Sequence, residues 1–273
     1  MPFAVRSVAE AGGTLPAGTM RVEFASGHDG AMDWALARPP AAGDLWWVMV
    51  HGHGSLGDQL YTRPDIRDQW LPLVAELGLG VLTPNTRGNG WMSPAAAADV
   101  HELLAWARAE HGARRFVFAS GSMGGTSSLI YAVLHPADVA GVVALCPATD
   151  LASYYAWCRG KAPAFPGGAR NEGIIGQIAD AIQASYGGEP ATQPRRYRRH
   201  SAVANAARLT MPLCLVHGTA DPLIPVAGAR RLAGALADHP AFVYRELADG
   251  GHDAPLPAMP DALRWIVAKL RAH

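Results

Sequence analysis

The sequence predicts an α/β fold: a mostly parallel central sheet of about eight strands, flanked by helices. Three observations point there. Short apolar runs alternate with helical repeats along most of the chain. One run, "LWWVMV" (45–50), is continuously apolar, as a strand covered on both faces must be. The 273 residues, 49% hydrophobic and 17% charged, are enough for one α/β unit with an ordinary core.

The elements follow in order. "TMRVEFAS" (19–26) and "AMDWALARP" (31–39) read as a hairpin turned at Gly27 to Gly30. Strand 45–50 comes next, then a helical stretch around 66–77 and strand "GVLTP" (80–84). In "PAAAADVHELLAWARAEHG" (94–112), Val100, Leu103, Leu104 and Ala107 fall on one helical face, with Gly112 past the end. Strand "RRFVFAS" (114–120) runs through a Gly/Ser-rich turn into a helix over 124–134, stopped at His135-Pro136. "VAGVVALC" (139–146), "MPLCLVH" (211–217) and "AFVYREL" (241–247) are the remaining strands. A closing helix carries Leu263, Ile266, Val267 and Leu270 on one face.

Residues 1–150 and 210–273 are thus the expected core. No strand pattern occurs from Asp150 to Leu209, an interval too long for a plain crossover. Residues 151–209 are expected to form a cap-like insertion over the carboxyl ends of the strands, where open α/β sheets bind ligands. It should contain a helix near 172–185, and its "RRYRR" (195–199) reads as a solvated or ion-paired face.

With 23 basic and 23 acidic residues, the chain has no net field to draw nucleic acid or an anionic membrane. Its three cysteines, Cys146, Cys158 and Cys214, are an odd count, and two lie in apolar runs, so free buried thiols are expected. "MPFAVRSVAEAGG" contains no apolar stretch of signal-peptide length, and no run approaches a membrane span. The expected location is cytoplasmic.

Four serines sit in or beside the turn 120–128. An oxygen nucleophile at a strand-to-helix junction must be lifted clear of the sheet by a tight, strained turn, which needs small residues two before and two after it. Ser122 has Ser120 behind and Gly124 ahead. Ser120 would have Phe118 behind it, and Ser127 and Ser128 are already helical. Ser122 is therefore the candidate nucleophile, in Ser-x-Ser-x-Gly where Gly-x-Ser-x-Gly is usual. Asp221 follows a strand in "VHGTADPLIPV", and His252 lies in the Gly-rich loop "LADGGHDAP" after the last strand. All three belong to one rim of the sheet.

"GSMGG", "HGTADPLIP", "GGH" and "TPNTRGNGW" together resemble the α/β-hydrolase fold enzymes of the esterase and prolyl-oligopeptidase-like group. The resemblance is weakest over 1–20 and 151–209. It implies a Ser122–His252–Asp221 triad in which His252 accepts the serine proton and Asp221 fixes the imidazole tautomer. Asp150 and Asp253 are rival acids. The resemblance also implies an oxyanion hole from the backbone N–H groups of Met123 and His53, with Gly54 and the Tyr61 hydroxyl as weaker candidates for the second donor. Asn85 stands where related enzymes often carry Asp, a loop-supporting position.

Trp91, Tyr154, Tyr155, Trp157, Leu223 and Ile224 are candidates to line the pocket. His51 and His53 have no third ligand at metal spacing, so neither a metal nor another cofactor is expected. The expected activity is hydrolysis of carboxylic esters through an acyl-serine. A small serine peptidase or amidase, a thioesterase, and a non-catalytic binding protein of the same fold are the alternatives. The expected partners are a small-molecule ester and, at most, a second copy of the chain in a homodimer.

Overall fold

The computed structural model describes residues 2–161 and 173–272. Strands β1 (Ala4–Glu10), β2 (Met20–Ala25) and β3 (Met32–Arg38) form an antiparallel meander. β4 (Leu45–Val48) leads through short helices α1 (Gln59–Thr62), α2 (Pro64–Trp70) and α3 (Pro72–Glu76) to β5 (Gly80–Pro84). Then come α4 (Pro94–His111), β6 (Arg115–Gly121), α5 (Met123–Leu134) and β7 (Val139–Leu145). Helices α6 (Leu151–Lys161), α7 (Ile174–Ser185) and α8 (Pro194–Arg199) occupy the interval without strands. The chain closes with β8 (Leu213–Gly218), α9 (Val226–Ala235), β9 (Phe242–Leu247) and α10 (Met259–Arg271).

Among the described residues the sheet has nine strands, ordered β1-β2-β3-β5-β4-β6-β7-β8-β9. β3 meets β5 antiparallel, and every pairing from β5 to β9 is parallel. The strand beyond the expected eight is β1. It is an edge strand, bulged between Val5 and Ser7 and exposed over its last five residues, so it carries little of the apolar alternation that marks a strand. Helix α9 was likewise not expected, although Ala229 and Leu232 bury one face of it.

Successive residues of the central strands feed opposite layers. Trp46 and Val48 belong to the core layer that also holds residues of α4, α5, α6, α7 and α9, whereas Leu45 and Trp47 belong to the layer that holds residues of α1–α3 and α10. Both tryptophans of β4 are fully buried, which accounts for its unbroken apolar run. The three cysteines are buried and free. No helix among the described residues is long and apolar enough to cross a membrane.

The cap-like insertion expected over 151–209 falls partly on 162–172, outside the described residues. Its described part is tied to the loop after β5. The Ser185 hydroxyl donates to the Asn89 carbonyl at 3.2 Å, and the Tyr186 hydroxyl to the Trp91 carbonyl at 3.1 Å. In α8, Arg195, Arg198 and Arg199 are exposed and form no ion pair among the described residues, so this face is solvated.

His200, at the end of α8, is buried, with Nδ1 2.8 Å from the Arg196 carbonyl. Burial pushes its pKa down to about 4, with further lowering from the Arg199 and Arg196 charges. The unfolded chain titrates this imidazole near the usual ~6.5 and so binds the proton that the fold rejects. Its contribution therefore makes stability fall as pH drops from ~6.5 towards 4. His200→Gln is expected to reduce the loss of thermal stability between pH 7 and pH 5. An unchanged difference in Tm would assign that pH dependence to other groups.

Candidate active site

Ser122 stands between β6 and α5 with φ 57° and ψ −127°, a backbone conformation a serine rarely adopts. Its N–H is anchored to the Leu145 carbonyl at 2.8 Å. The turn is tight enough that a Cβ on Gly124 would run into the Val50 carbonyl oxygen and crowd Ser120. Ser120 is fully buried, and its Oγ accepts the Val50 N–H at 2.9 Å. The small residues on either side of Ser122 thus face each other beneath the turn, and Ser120 serves the backbone of the neighbouring strand.

Ser122 Oγ lies 2.9 Å from His252 Nε2, and His252 Nδ1 lies 2.8 Å from Asp221 Oδ2. The Asp221 side chain is completely buried. Its Oδ1 accepts the N–H groups of Leu223 and Ile224 at 2.8 and 2.9 Å. Its Oδ2 is also 3.2 Å from His217 Nε2, which in turn is 2.9 Å from the Ile224 carbonyl. Two acceptors against one nitrogen place the His217 hydrogen on Nε2. Burial works to raise the Asp221 pKa, but the hydrogen bonds from His217 and His252, the His252 charge and the Ile224 N–H outweigh it. They hold the carboxyl well below the usual carboxylate range.

The rival acids are engaged elsewhere. Asp150 Oδ1 accepts the Ser153 N–H at 2.7 Å in the first turn of α6, and Oδ2 accepts the Ser201 hydroxyl at 2.5 Å. Asp253 is 3.2 Å from the Arg63 guanidinium, which also binds Asp65 at 2.8 Å.

The loop after β4 is held by side chains that the sequence did not single out. The Gly52 N–H donates to Gln59 Oε1 and the Gly54 N–H to Asn89 Oδ1, each at 2.8 Å. Among the described residues, the N–H groups of His53 and Met123 donate to no protein group. Tyr61 is buried and does not line the cleft. The His51 nitrogens face the Gly52 and Asn85 carbonyls, each at 2.8 Å. Asn85 donates from Nδ2 to Asp33 at 2.8 Å and accepts the Gly57 N–H at 3.2 Å. A carboxylate at this position would face the Asp33 carboxylate, so the amide suits this chain.

Ser122 and His252 open on a cleft of about 240 Å³, with His53, Arg63, Cys146 and Asp253 in its walls. Burial, then the neighbouring His51, pushes the His53 pKa down to about 4. Its ring is therefore neutral, with Nδ1 accepting from Trp91 Nε1 at 3.3 Å.

Of the expected pocket residues, Tyr154, Leu223 and Ile224 line this cleft, and Trp91, Tyr155 and Trp157 do not. Trp91 lies one layer behind, its ring against His53 and Tyr154. The Tyr155 hydroxyl turns to Gln183 at 2.7 Å. Trp157 stacks on Tyr154 and borders a different hollow. Ile174 and Ile178, one turn apart on α7, join Met49, Ile66, Trp70 and Leu256 in its apolar wall.

Residues 48–172 match the family model described as the alpha/beta hydrolase fold. No curated protein matches the chain by sequence. An S-formylglutathione hydrolase from Agrobacterium tumefaciens is similar in structure, with TM-score 0.66, 16% identity, and 97% of this chain and 99% of that chain covered. The esterase Pf2001 from Pyrococcus furiosus aligns with TM-score 0.66, 13% identity, and 98% coverage of both chains. A puromycin hydrolase aligns with TM-score 0.64 and 19% identity over 92% of this chain, which spans only 39% of that larger enzyme.

Proposed function

The chain has the α/β-hydrolase fold, and from this premise we propose that it is a serine hydrolase that cleaves small carboxylic esters. The observation that carries the proposal is the unbroken relay from Ser122 Oγ to His252 Nε2, and from His252 Nδ1 to a buried, ionised Asp221, opening on a cleft.

In this reading His252 takes the hydroxyl proton as Ser122 Oγ attacks the ester carbonyl. The resulting oxyanion is met by the N–H groups of His53 and Met123. The carbon–oxygen bond to the alcohol breaks, the alcohol leaves with the proton held by His252, and water then releases the acid by the same steps in reverse roles. Esters are favoured over peptides because, among the described residues, the one acidic side chain in the cleft walls, Asp253, is paired with Arg63. Among the described residues, no other cleft carboxylate is available for a peptide's amino terminus. The described part of the insertion, residues 151–161 and 173–209, acts in this reading as a cap that lends α7 to the pocket.

Initial rates on p-nitrophenyl acetate and on aminoacyl p-nitroanilides test the proposal. A kcat/KM for the ester at least a hundredfold above that for the anilides is expected. The reverse order would make the protein an amidase of the same mechanism, and no turnover of either would reject both.

A further inference from the structure

Beside the cleft lies a second hollow of about 190 Å³, whose surface is mainly apolar, from Ala148, Trp157, Pro225 and Ala227, although Thr149, Asp150, Ser153 and Arg231 also border it. Two side chains are common to both walls: Tyr154 and Ile224. Tyr154 is the larger of the two and is held firmly. It is buried, its hydroxyl donates to the Leu223 carbonyl at 3.1 Å, and its ring meets Trp91 at 5.7 Å and Trp157 at 6.0 Å between centroids. With two aromatic rings packed beside it and its hydroxyl tethered, the buried ring can move only by disturbing its neighbours.

We propose that Tyr154 is the specificity-determining residue of this site. It ends the acyl pocket, restricts the protein to short-chain esters, and screens off an apolar hollow suited to a longer alkyl or aryl chain. The proposal rests on the serine hydrolase reading above. In physical terms, a chain long enough to reach Tyr154 has to displace a packed aromatic ring, which costs more than the added methylenes gain. Once the ring is removed, each further methylene enters apolar surroundings and improves binding.

The test compares kcat/KM for p-nitrophenyl esters from acetyl to decanoyl in the wild type, Tyr154→Ala, Tyr154→Phe and Ile224→Ala. A fluorophosphonate probe is run on each to count reactive serine separately. The wild type should fall steeply with chain length. Tyr154→Ala should raise the ratio of octanoyl to acetyl kcat/KM at least tenfold. Tyr154→Phe keeps the wall and loses only the tether, so it should retain the wild-type ratio. Ile224→Ala opens the same partition from the other side and should move the ratio in the direction of Tyr154→Ala, which keeps the test valid if Tyr154→Ala does not fold.

Folded variants that label with the probe but keep the wild-type length profile would overturn the role of Tyr154 and leave the serine hydrolase reading standing. A wild type that already prefers octanoyl esters would overturn it too. Failure of the wild type to label would instead strike the underlying reading.

Discussion

Ser122→Ala is expected to lower kcat on an acetyl ester by about 10⁶-fold, the scale on which a serine that forms the acyl intermediate acts. The fold should be unaffected. Among the described residues Ser122 Oγ hydrogen-bonds to the His252 side chain alone, and its structural anchor is a backbone hydrogen bond to Leu145 that alanine retains. The contrast is Ser120→Ala. Its Oγ accepts the buried Val50 N–H, so its loss leaves an unpaired donor and costs about 1–3 kcal/mol of stability. Most of the activity should remain. Steady-state rates and thermal unfolding of the two variants separate these effects. A Ser120→Ala protein that is folded but inactive would move the nucleophile from Ser122.

Asp221→Asn should cost about 10⁴ in kcat, as a wrong histidine tautomer does in a serine hydrolase relay. The carboxylate accepts from both sides: the Leu223 and Ile224 N–H groups at Oδ1, and His252 and His217 at Oδ2. An amide cannot satisfy both. With its oxygen on the backbone side, its NH₂ faces His252 and favours the tautomer with bare Nδ1. The hydrogen then sits on Nε2, where Ser122 needs a base. Asp150→Asn should leave kcat within about tenfold, because Asp150 caps α6 and lies outside the relay. Should Asp150→Asn carry the large loss and Asp221→Asn not, the acid is Asp150.

The strands and the relay were legible because local chemistry fixes them. β4 is buried on both faces and reads as an unbroken apolar run, and β5 and β6, buried apart from Arg115, read as mainly apolar ones. The sizes around Ser122 are dictated by backbone contact, as the clash at Gly124 demonstrates. Asp221 and His252 sit at fixed places after β8 and β9, where chain order and strand ends locate them. β1 was missed because an exposed edge leaves a weak pattern.

The pocket was the least legible part. Tyr154, Tyr155 and Trp157 follow one another on α6, where each residue turns by about 100°, so adjacent aromatics point to different surroundings. Tyr154 reaches the cleft, while Tyr155 reaches α7. The four-residue spacing of Ile174 and Ile178 was a readable sign of an apolar face on α7, though which surface that face meets is set by tertiary packing. The Gln59 and Asn89 contacts that engage the Gly52 and Gly54 N–H groups on either side of His53 also depend on long-range placement.

A nucleophilic Ser122 is tested most directly by the site at which a fluorophosphonate attaches. Intact-mass measurement should give a single adduct per chain, and peptide mapping should place it on Ser122. The adduct should be absent from Ser122→Ala and strongly slowed in Asp221→Asn. A stoichiometric adduct on Ser120, Ser127 or Ser128, or none on the folded wild-type protein, would contradict Ser122 as the nucleophile.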